Sequence, residues 1–237
     1  MREIRINPSS SAFMVGELVK TEAQSGCLRH LLLKNYLPIE DKVPEELQKM
    51  GAWGEDMYQE FLENHQEWPF HKELVMKTTL DDVTVSGRID FVTYHDGYRV
   101  IHECKTSQSK NILYKTINKG ELKLNHLAQL VFYLIHMNET RGKLVIRYAP
   151  KNTLRIFRIT IGDDGEIFVD GDKHEMTVQD QLRHQLMSAH VIKEKELLAR
   201  PESPWACKYC VYNKLCDKYD AEPKSFNEFV EENKEIT

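Results

Sequence analysis

The stretch VTVSGRIDFVTYHDGYRVIHECKTS, residues 83–107, contains two strand-like runs in which apolar and polar residues alternate. The runs are joined by Asp96-Gly97, and this pair predicts a β-hairpin with a type I′ turn, because that turn needs positive φ at both central residues. In a two-residue hairpin of this kind, Asp90 lies directly opposite Glu103. The stretch therefore predicts two acidic side chains at one point of a sheet.

Two opposed carboxylates indicate a divalent-metal site. Directly opposed residues have Cβ atoms about 5 Å apart, and like charges at that distance are destabilising unless a cation lies between them. Mg²⁺ and Mn²⁺ prefer oxygen ligands, and the backbone carbonyl of Cys104 offers one beside the Glu103 side chain. Arg88 would lie opposite Lys105 on the same face, since residues two apart on a strand point the same way. The alternative is a solvated lattice of ion pairs among these charged side chains.

A metal ion held in this way suits phosphodiester hydrolysis. Such an ion lowers the pKa of a bound water, orients the phosphodiester and stabilises the charge of the transition state. Lys105 on the same face would position the attacking water or neutralise the developing negative charge. The hairpin therefore predicts a metal-dependent hydrolytic site.

The composition is that of a soluble protein with a sizeable core. The chain has 237 residues, of which 41% are hydrophobic and 29% charged, and no apolar run is long enough to span a membrane. The N-terminus lacks the apolar core of a signal peptide, so we expect an intracellular protein. The net charge of −5 gives no general affinity for polyanions. A nucleic-acid partner would have to meet a local basic patch or metal-bound carboxylates.

The order of predicted elements is helix, helix, three strands, helix, strands, helix and a cysteine-rich segment. This order indicates an α/β or α+β fold with a mixed sheet. We expect a single domain, 1–237, with an N-terminal helical segment 13–37, a core 45–199 and a cysteine-rich segment 200–220. The predicted helices are 13–37, 45–64, 122–137 and 177–199, and the predicted strands outside the hairpin are 73–79, 143–149, 154–161 and 166–169.

Two neighbouring elements offer further site residues. Glu55 lies at the edge of the apolar face of helix 45–64, where it either reaches into a site or is solvated. Residues 108–123 are polar and lysine-rich and leave the strand that carries Lys105. They form either a solvated surface or a basic flank for phosphates, in which Lys110 and Tyr114 contact nucleic acid through phosphate pairing and stacking.

The motifs around the hairpin resemble those of a known family. GRID at 87–90, followed by ECK at 103–105, resembles the split D…(D/E)-x-K core of the PD-(D/E)XK nuclease superfamily, and most closely its RecB-like branch. Gln129 and Tyr133 match the Q-x-x-x-Y motif of that branch, which lies near the active site and is linked to DNA handling. GAWGE at 51–55 resembles the G-x-x-x-H motif, whose histidine binds metal, with Glu55 at the histidine position.

Four of the five cysteines suggest a second metal centre. Cys207-x2-Cys210-x5-Cys216 forms a compact triplet, and Cys27 stands alone near the other end of the chain. Four thiolates suit a tetrahedral zinc ion or an iron–sulfur cluster, and disulfides are not expected in an intracellular chain. Reduced cysteines without a metal are the remaining alternative.

The split cysteine pattern resembles the iron–sulfur RecB-like nucleases, including the AddB nuclease domain and the CRISPR-associated exonucleases of the fourth Cas family. In those proteins one cysteine before the nuclease core and three after it hold a [4Fe–4S] cluster. The resemblance implies a central mixed sheet flanked by helices, and a single-stranded DNA exonuclease. It also implies protein partners in DNA repair, recombination or CRISPR adaptation.

A different class of function remains open at this point. The chain would then be a non-catalytic nucleic-acid-binding or assembly subunit, and the cysteines would form a structural zinc or cluster module. No G-x-x-x-x-G-K-[ST] sequence occurs, so we do not expect an ATP-driven helicase–nuclease.

Overall fold

The computed structural model describes residues 5–6, 27–37, 39, 44–65, 69–195, 207 and 210–234. The chain groups into two compact units. One, the terminal unit, comprises residues 1–42, 77–86 and 182–237; the other, the central unit, comprises residues 43–76 and 87–181. No helix in the described ranges combines the length and apolar character that a membrane span requires.

The described residues form six α-helices and eight strands. The helices are α1 (Leu28–Tyr36), α2 (Glu45–His65), α3 (Leu124–His136), α4 (Val178–Glu194), α5 (Asn213–Ala221) and α6 (Phe226–Asn233), with a π-helical segment at Ile112–Asn118. The strands are β1 (Arg5–Ile6), β2 (Phe70–Leu80), β3 (Val83–His95), β4 (Tyr98–Ser107), β5 (Arg141–Tyr148), β6 (Thr153–Ile161), β7 (Glu166–Val169) and β8 (Asp172–Thr177).

The described strands form one mixed sheet. Its order is β1-β3-β4-β5-β6-β7-β8, and β2 also pairs with β3. The pairs β1–β3 and β4–β5 are parallel, whereas β3–β4, β5–β6, β6–β7 and β7–β8 are antiparallel. Helix α3 connects the parallel strands β4 and β5, as a parallel crossover requires. The predicted α/β class with a mixed sheet and flanking helices is confirmed.

The predicted hairpin is present as the β3–β4 pair. Asp96 has φ of 49° and Gly97 has φ of 81°, as a type I′ turn needs. The regular ladder runs from His95 opposite Tyr98 to Phe91 opposite His102, in the predicted register. At the next position Asp90 Oδ2 accepts a hydrogen bond from the backbone N–H of Cys104 at 2.7 Å. A carboxylate thus ties the two strands together just beyond the ladder.

Helix α2 supplies the core beneath one face of the central sheet. Tyr58 and Leu62 of α2 pack with Phe91 of β3 and Val145 of β5, and all four side chains are buried. Cys104 lies against this cluster as a partly buried apolar group. The Cys104 side chain is therefore a small core residue.

A buried histidine fastens the same face. The two ring nitrogens of His102 are hydrogen-bonded to Tyr58 Oη at 2.8 Å and to Thr93 Oγ1 at 2.9 Å. Burial, followed by the charge of Lys143, lowers the pKa of His102 to about 3. His102 is therefore a neutral core residue that links α2 to both strands of the hairpin.

The terminal unit joins the two ends of the chain. Arg29 of α1 forms a 2.8 Å ion pair with Asp220 of α5. Tyr36 packs edge-to-face on Phe226 of α6, with ring centroids 5.2 Å apart. Tyr212 Oη donates a hydrogen bond to the carbonyl oxygen of Leu37 at 2.9 Å. Each of these contacts joins residues more than 170 positions apart in sequence. A local sequence pattern therefore cannot predict them.

Some element boundaries differ from the prediction. The helix expected at 13–37 is described only as α1, and residues 13–26 lie outside the described residues. The helix expected at 177–199 is described as α4, and residues 196–199 lie outside the described residues. Strand β8 was not predicted, because DKHEMT is too polar to show alternation; among its side chains only Met176 is buried. Helices α5 and α6 were also missed, although Ser225 and Glu228 form a capping box at the start of α6.

A close backbone approach generates the first prediction. A Cβ added at Gly54 would lie 1.8 Å from Thr106 Oγ1 and 2.9 Å from Thr106 Cβ, whereas one added at Gly51 would meet nothing within 4 Å. We expect Gly54→Ala to destabilise the protein by about 1–3 kcal/mol through overpacking. Gly51→Ala, in the same helix, should stabilise it by about 0.5–1 kcal/mol. Urea unfolding of both variants measures the difference.

The double variant Gly54→Ala/Thr106→Ala tests the cause. If the clash is responsible, removing Thr106 Oγ1 recovers part of the lost free energy of unfolding. Equal stability of Gly54→Ala and Gly51→Ala would contradict the close approach.

Candidate active site

Two buried carboxylates stand where β3 and β4 leave their ladder. Asp90 is 8% exposed and Glu103 is 1% exposed. Lys105 Nζ donates a hydrogen bond to Glu103 Oε1 at 2.5 Å. The other oxygen, Glu103 Oε2, is buried and has no hydrogen-bond partner among the described residues. Burial of both acids is incompatible with the alternative of a solvated ion-pair lattice.

The acids affect one another's ionisation. Burial raises the pKa of Glu103 to about 7; the charge of Lys105 opposes this shift, and the charges of Asp90 and Glu55 add to it. Burial also raises the pKa of Asp90, against the hydrogen bond from Cys104. The pKa of Glu55 is raised by burial and then by the charge of Asp90. Carboxylates from α2, β3 and β4 therefore lie within electrostatic range of one another, and Glu55 is the half-buried member of the three.

The two cations predicted on this face have different environments. Burial would lower the pKa of Lys105, but the charges of Glu103 and Asp90 outweigh it, and the pKa is raised. Lys105 is thus a protonated ammonium held against Glu103. Arg88 is exposed and forms a 3.1 Å ion pair with Glu73 of β2. Of the two cations, only Lys105 bonds directly to a carboxylate of the site.

Helix α3 brings the predicted Gln–Tyr pair to the same place. Gln129 Nε2 donates to Tyr133 Oη at 3.4 Å, and Tyr133 Oη donates to the carbonyl oxygen of Arg88 at 3.0 Å. Burial, followed by the charge of Glu103, raises the pKa of Tyr133. The tyrosine therefore ties α3 to β3 beside the carboxylates, while Gln129 orients its hydroxyl group.

His126 is a neighbour of the site that sequence reasoning missed. Burial, then the charges of Lys105 and Lys123, lower the pKa of His126 to about 3, so its imidazole is neutral. Its position three residues before Gln129 and seven before Tyr133 places all three on one face of α3. That spacing was the sequence signal that could have found it.

The predicted basic flank lies on the surface. Lys110 precedes the π-helical segment, and Tyr114, within it, is 59% exposed. Neither residue belongs to the buried carboxylate group. Their predicted contact with nucleic acid stays a prediction.

The donor set fits a hard divalent cation. As the side chains stand, no three His, Cys, Asp or Glu groups among the described residues are close enough to hold a metal ion. However, a buried carboxylate oxygen without a donor is costly, and Glu103 Oε2 is such an oxygen. A cation beside Oε2 would satisfy it and relieve the repulsion among the three acids. The predicted ligands Glu55, Asp90, Glu103 and the Cys104 carbonyl remain consistent with this need.

The cysteines of the two chain ends approach each other in the terminal unit. Cys27 Sγ accepts a hydrogen bond from the backbone N–H of His30 at 3.3 Å, and His30 Nδ1 lies 3.4 Å from Cys210 Sγ. Burial raises the pKa of Cys27, and the charges of Cys210 and Cys207 add to the shift. Cys216 is buried within α5. None of the five cysteines forms a disulfide.

The fit of these thiols to a cluster is partial. Three of the four predicted ligands come from opposite ends of the sequence to one neighbourhood, as a shared metal centre would require. In this arrangement, no three of the described cysteines are close enough to hold a metal ion. His30, which the sequence did not predict, lies between Cys27 and Cys210.

Comparison with known families agrees with the sequence resemblance. A family model described as the PD-(D/E)XK nuclease superfamily matches residues 15–217, which include the whole central unit and all the predicted motifs. Among curated proteins none matches the chain.

Several solved structures share the fold at low sequence identity. The protein SSO0001 is 17% identical, with a TM-score of 0.53 over 91% of this chain and 87% of its own. An alkaline exonuclease, LHK-Exo, from Laribacter hongkongensis is 10% identical, with a TM-score of 0.56 over 83% of this chain and 91% of its own. A phage-related exonuclease from Haemophilus somnus 129PT is 9% identical, with a TM-score of 0.51 over 82% of this chain and 98% of its own. These likenesses establish the fold.

The raised pKa of Glu103 gives a pH-dependent prediction. Its folded pKa of about 7 exceeds the ordinary 4.5, so the metal-free folded protein binds this proton more tightly than the unfolded chain does. Stability in EDTA should therefore fall as pH rises through that interval. Because a cation competes with the proton, Mn²⁺ should raise the melting temperature more at pH 8 than at pH 5.5. Differential scanning fluorimetry with EDTA or Mn²⁺ measures both effects.

The matched control is Glu103→Gln, which keeps the shape of the side chain but cannot ionise. It should lose most of the Mn²⁺ effect at pH 8 and show a flatter pH dependence in EDTA. An equal Mn²⁺ effect at both pH values in the wild type would contradict the assignment.

Proposed function

We propose that this chain, which belongs to the PD-(D/E)XK nuclease superfamily, is a metal-dependent deoxyribonuclease that removes nucleotides from single-stranded DNA ends. The observation that carries the proposal is the buried pair Asp90 and Glu103, with Lys105 bonded to one Glu103 oxygen while the other is orphaned. The shared fold of two structures described as exonucleases supports the exonuclease mode.

The carboxylates form the metal-holding part of the proposal. Glu55, Asp90 and Glu103, with the backbone carbonyl of Cys104, would hold Mg²⁺ or Mn²⁺, since these ions take carboxylate and carbonyl oxygens. When bound, the ion would lower the pKa of a water molecule and would place positive charge beside the phosphate. The hydrogen bond from Cys104 N–H to Asp90 fixes this carboxylate before any ligand arrives.

Side chains that do not bind the metal complete the proposed mechanism. The protonated Lys105 orients the attacking water and offsets the negative charge that develops on the phosphate. Tyr133, anchored on the Arg88 carbonyl, and Gln129 would contact the site or the strand being cut. Lys110 and Tyr114 add phosphate pairing and base stacking at the surface, both of which tolerate any sequence.

The terminal unit has a separate structural role in this proposal. Cys27, Cys207, Cys210 and Cys216 would hold a [4Fe–4S] cluster that fastens the two ends of the chain together. The proximity of Cys27 to Cys207 and Cys210 supports it. Zinc is the competing occupant, because four thiolates suit either centre. The proposed setting is intracellular DNA metabolism, with protein partners in repair, recombination or CRISPR adaptation.

Substitution of the lysine tests the catalytic proposal. Lys105→Ala should lower the Mn²⁺-dependent degradation of labelled single-stranded DNA by about 10²–10³-fold, because it removes one charge-stabilising donor. Lys151→Ala, an exposed lysine on the turn before β6, should degrade DNA at the wild-type rate. If the wild type itself is inert in Mg²⁺ and Mn²⁺ yet binds DNA, the chain is instead a non-catalytic nucleic-acid-binding or assembly subunit.

Metal analysis tests the second centre. Protein purified without oxygen should be brown and contain about four iron atoms per chain. Cys210→Ser should lose iron, whereas Cys104→Ala, which changes a core cysteine, should keep it. Colourless protein with one zinc per chain would overturn the cluster assignment and leave the nuclease proposal intact.

A further inference from the structure

A cavity of about 370 Å³ opens in the central unit between the segment before α3 and strands β6–β8. This volume lies within the range of small-ligand sites. The lining includes cationic, imidazole and apolar groups. Those that matter here are Lys119, Leu122, Arg155, Phe157, Lys173 and His174.

The cavity shares a face of the sheet with the carboxylate site. Lys105 of β4 pairs with Ile146 of β5, which pairs with Arg155 of β6. Paired residues of neighbouring strands point to the same face, and strands are about 4.8 Å apart. Arg155 therefore lies two strands, or about 10 Å, from Lys105 along the sheet. Glu103 and Phe157 are related in the same way through Leu144.

The chain also runs directly from the cavity to the active site. Lys119 and Leu122 line the cavity, and α3 begins at Leu124. His126, in the first turn of α3, lies near enough to Lys105 for that charge to lower its pKa. The segment 119–126 thus connects the lining of the cavity to the turn of α3 that lies near Lys105.

The guanidinium group of Arg155 is held in a fixed position. Its Nη1 donates to the carbonyl oxygen of Ile117 at 3.1 Å, and its Cζ lies 4.7 Å from the centre of the Phe157 ring. Gly120 has φ of +79°, and a Cβ there would lie 2.9 Å from Arg155 Nη2. Glycine therefore allows the backbone to approach the guanidinium group closely, and this group is a planar donor that can bind an anion.

Two further donors line the cavity. Lys119 is exposed and forms no ion pair within the described ranges. His174 Nδ1 accepts a hydrogen bond from the backbone N–H of Met176 at 3.0 Å. Burial lowers the pKa of His174, so the ring is neutral and carries its proton on Nε2 as a donor.

The acidic groups of the cavity are already engaged in part. Asp170 accepts from the backbone N–H of Arg158 at 2.8 Å and lies 3.8 Å from Arg155. Lys173 is bonded to Glu166. Asp172 also lines the cavity and offers an acceptor for the N–H groups of a base. The cavity therefore presents both anion-binding donors and base-binding acceptors around the apolar Phe157 and Leu122.

We propose that this cavity is a nucleotide subsite, which holds one nucleotide of the single-stranded substrate at a distance from the scissile bond. Lys119, Lys173 and Arg155 supply the positive charge that binds phosphate. Leu122 contacts the sugar and base, and the buried Phe157 supports the Arg155 guanidinium. The proposal rests on the proposed nuclease function for the identity of the strand. It adds a second anchor that keeps the strand aligned while the end is cut.

Binding without hydrolysis tests the subsite. In EDTA, fluorescence anisotropy with a fluorescein-labelled oligothymidylate should show a Kd about tenfold higher for Lys119→Ala/Lys173→Ala than for the wild type, with a salt slope smaller by about 1.4. The control Lys49→Ala/Lys151→Ala removes the same charge from exposed lysines outside the cavity. Lys49, like Lys173, is paired with a glutamate, Glu45. This control should bind as the wild type does.

The remaining outcomes are distinct. Equal Kd values for the cavity variant and the control overturn the subsite. Binding of dTMP is measured for the same variants. If the cavity variant loses dTMP binding but binds the oligonucleotide as the wild type does, the subsite is also overturned, because the cavity would then serve a free nucleotide. Wild-type protein that binds the oligonucleotide through these lysines but does not degrade it in Mn²⁺ contradicts the nuclease proposal and leaves the subsite standing. Lys119→Arg, which keeps the charge, should bind as the wild type does.

Discussion

The site depends on one constraint, the burial of the Glu103 carboxylate next to Lys105. A buried carboxylate is stable only with a counter-charge and hydrogen-bond donors. Lys105 supplies both to one oxygen, and the other oxygen has no partner among the described residues. The described part of the folded chain therefore lacks a positive partner for this second oxygen. The negative charges of Asp90 and Glu55 act on the same carboxylate and further favour a cation there. A divalent cation, as proposed above, would supply that positive charge.

The opposite face of the same strand holds this site in place. Successive residues of β4 alternate, so His102 and Cys104 enter the apolar core while Glu103 and Lys105 face the site. His102 is hydrogen-bonded to Tyr58 and Thr93, and Gly54 lets α2 approach Thr106 closely. These contacts fix α2 against the hairpin, and with it the position of Glu55. A rigid core behind a reactive strand is how a scaffold keeps catalytic groups aligned.

The terminal unit is organised by contacts between the two chain ends. The ion pair of Arg29 with Asp220 and the hydrogen bond of Tyr212 with Leu37 bring α1 to the segment that follows α4. Cys27, at the start of α1, thereby comes near Cys207 and Cys210. The short distance between His30 and Cys210 belongs to the same arrangement. A metal centre here would add a stronger link between ends that protein contacts already join.

The sequence by itself determined the features that depend on neighbours in the chain. Asp96-Gly97 specified the turn, and alternation specified which residues of the hairpin share a face of the sheet. The resemblance to family motifs indicated the candidate site residues Asp90, Glu103, Lys105, Gln129 and Tyr133. Tertiary structure decided what depends on residues far apart in sequence: the orphaned Glu103 oxygen, the approach of Gly54 to Thr106, the place of His126 beside Lys105, and the cavity around Arg155. The polar strand β8 belongs to this second group, because pairing with β7 rather than any pattern of its own makes it a strand. Local periodicity encodes the conformation of an element and its buried face, whereas burial energies and electrostatic neighbours arise only when elements pack.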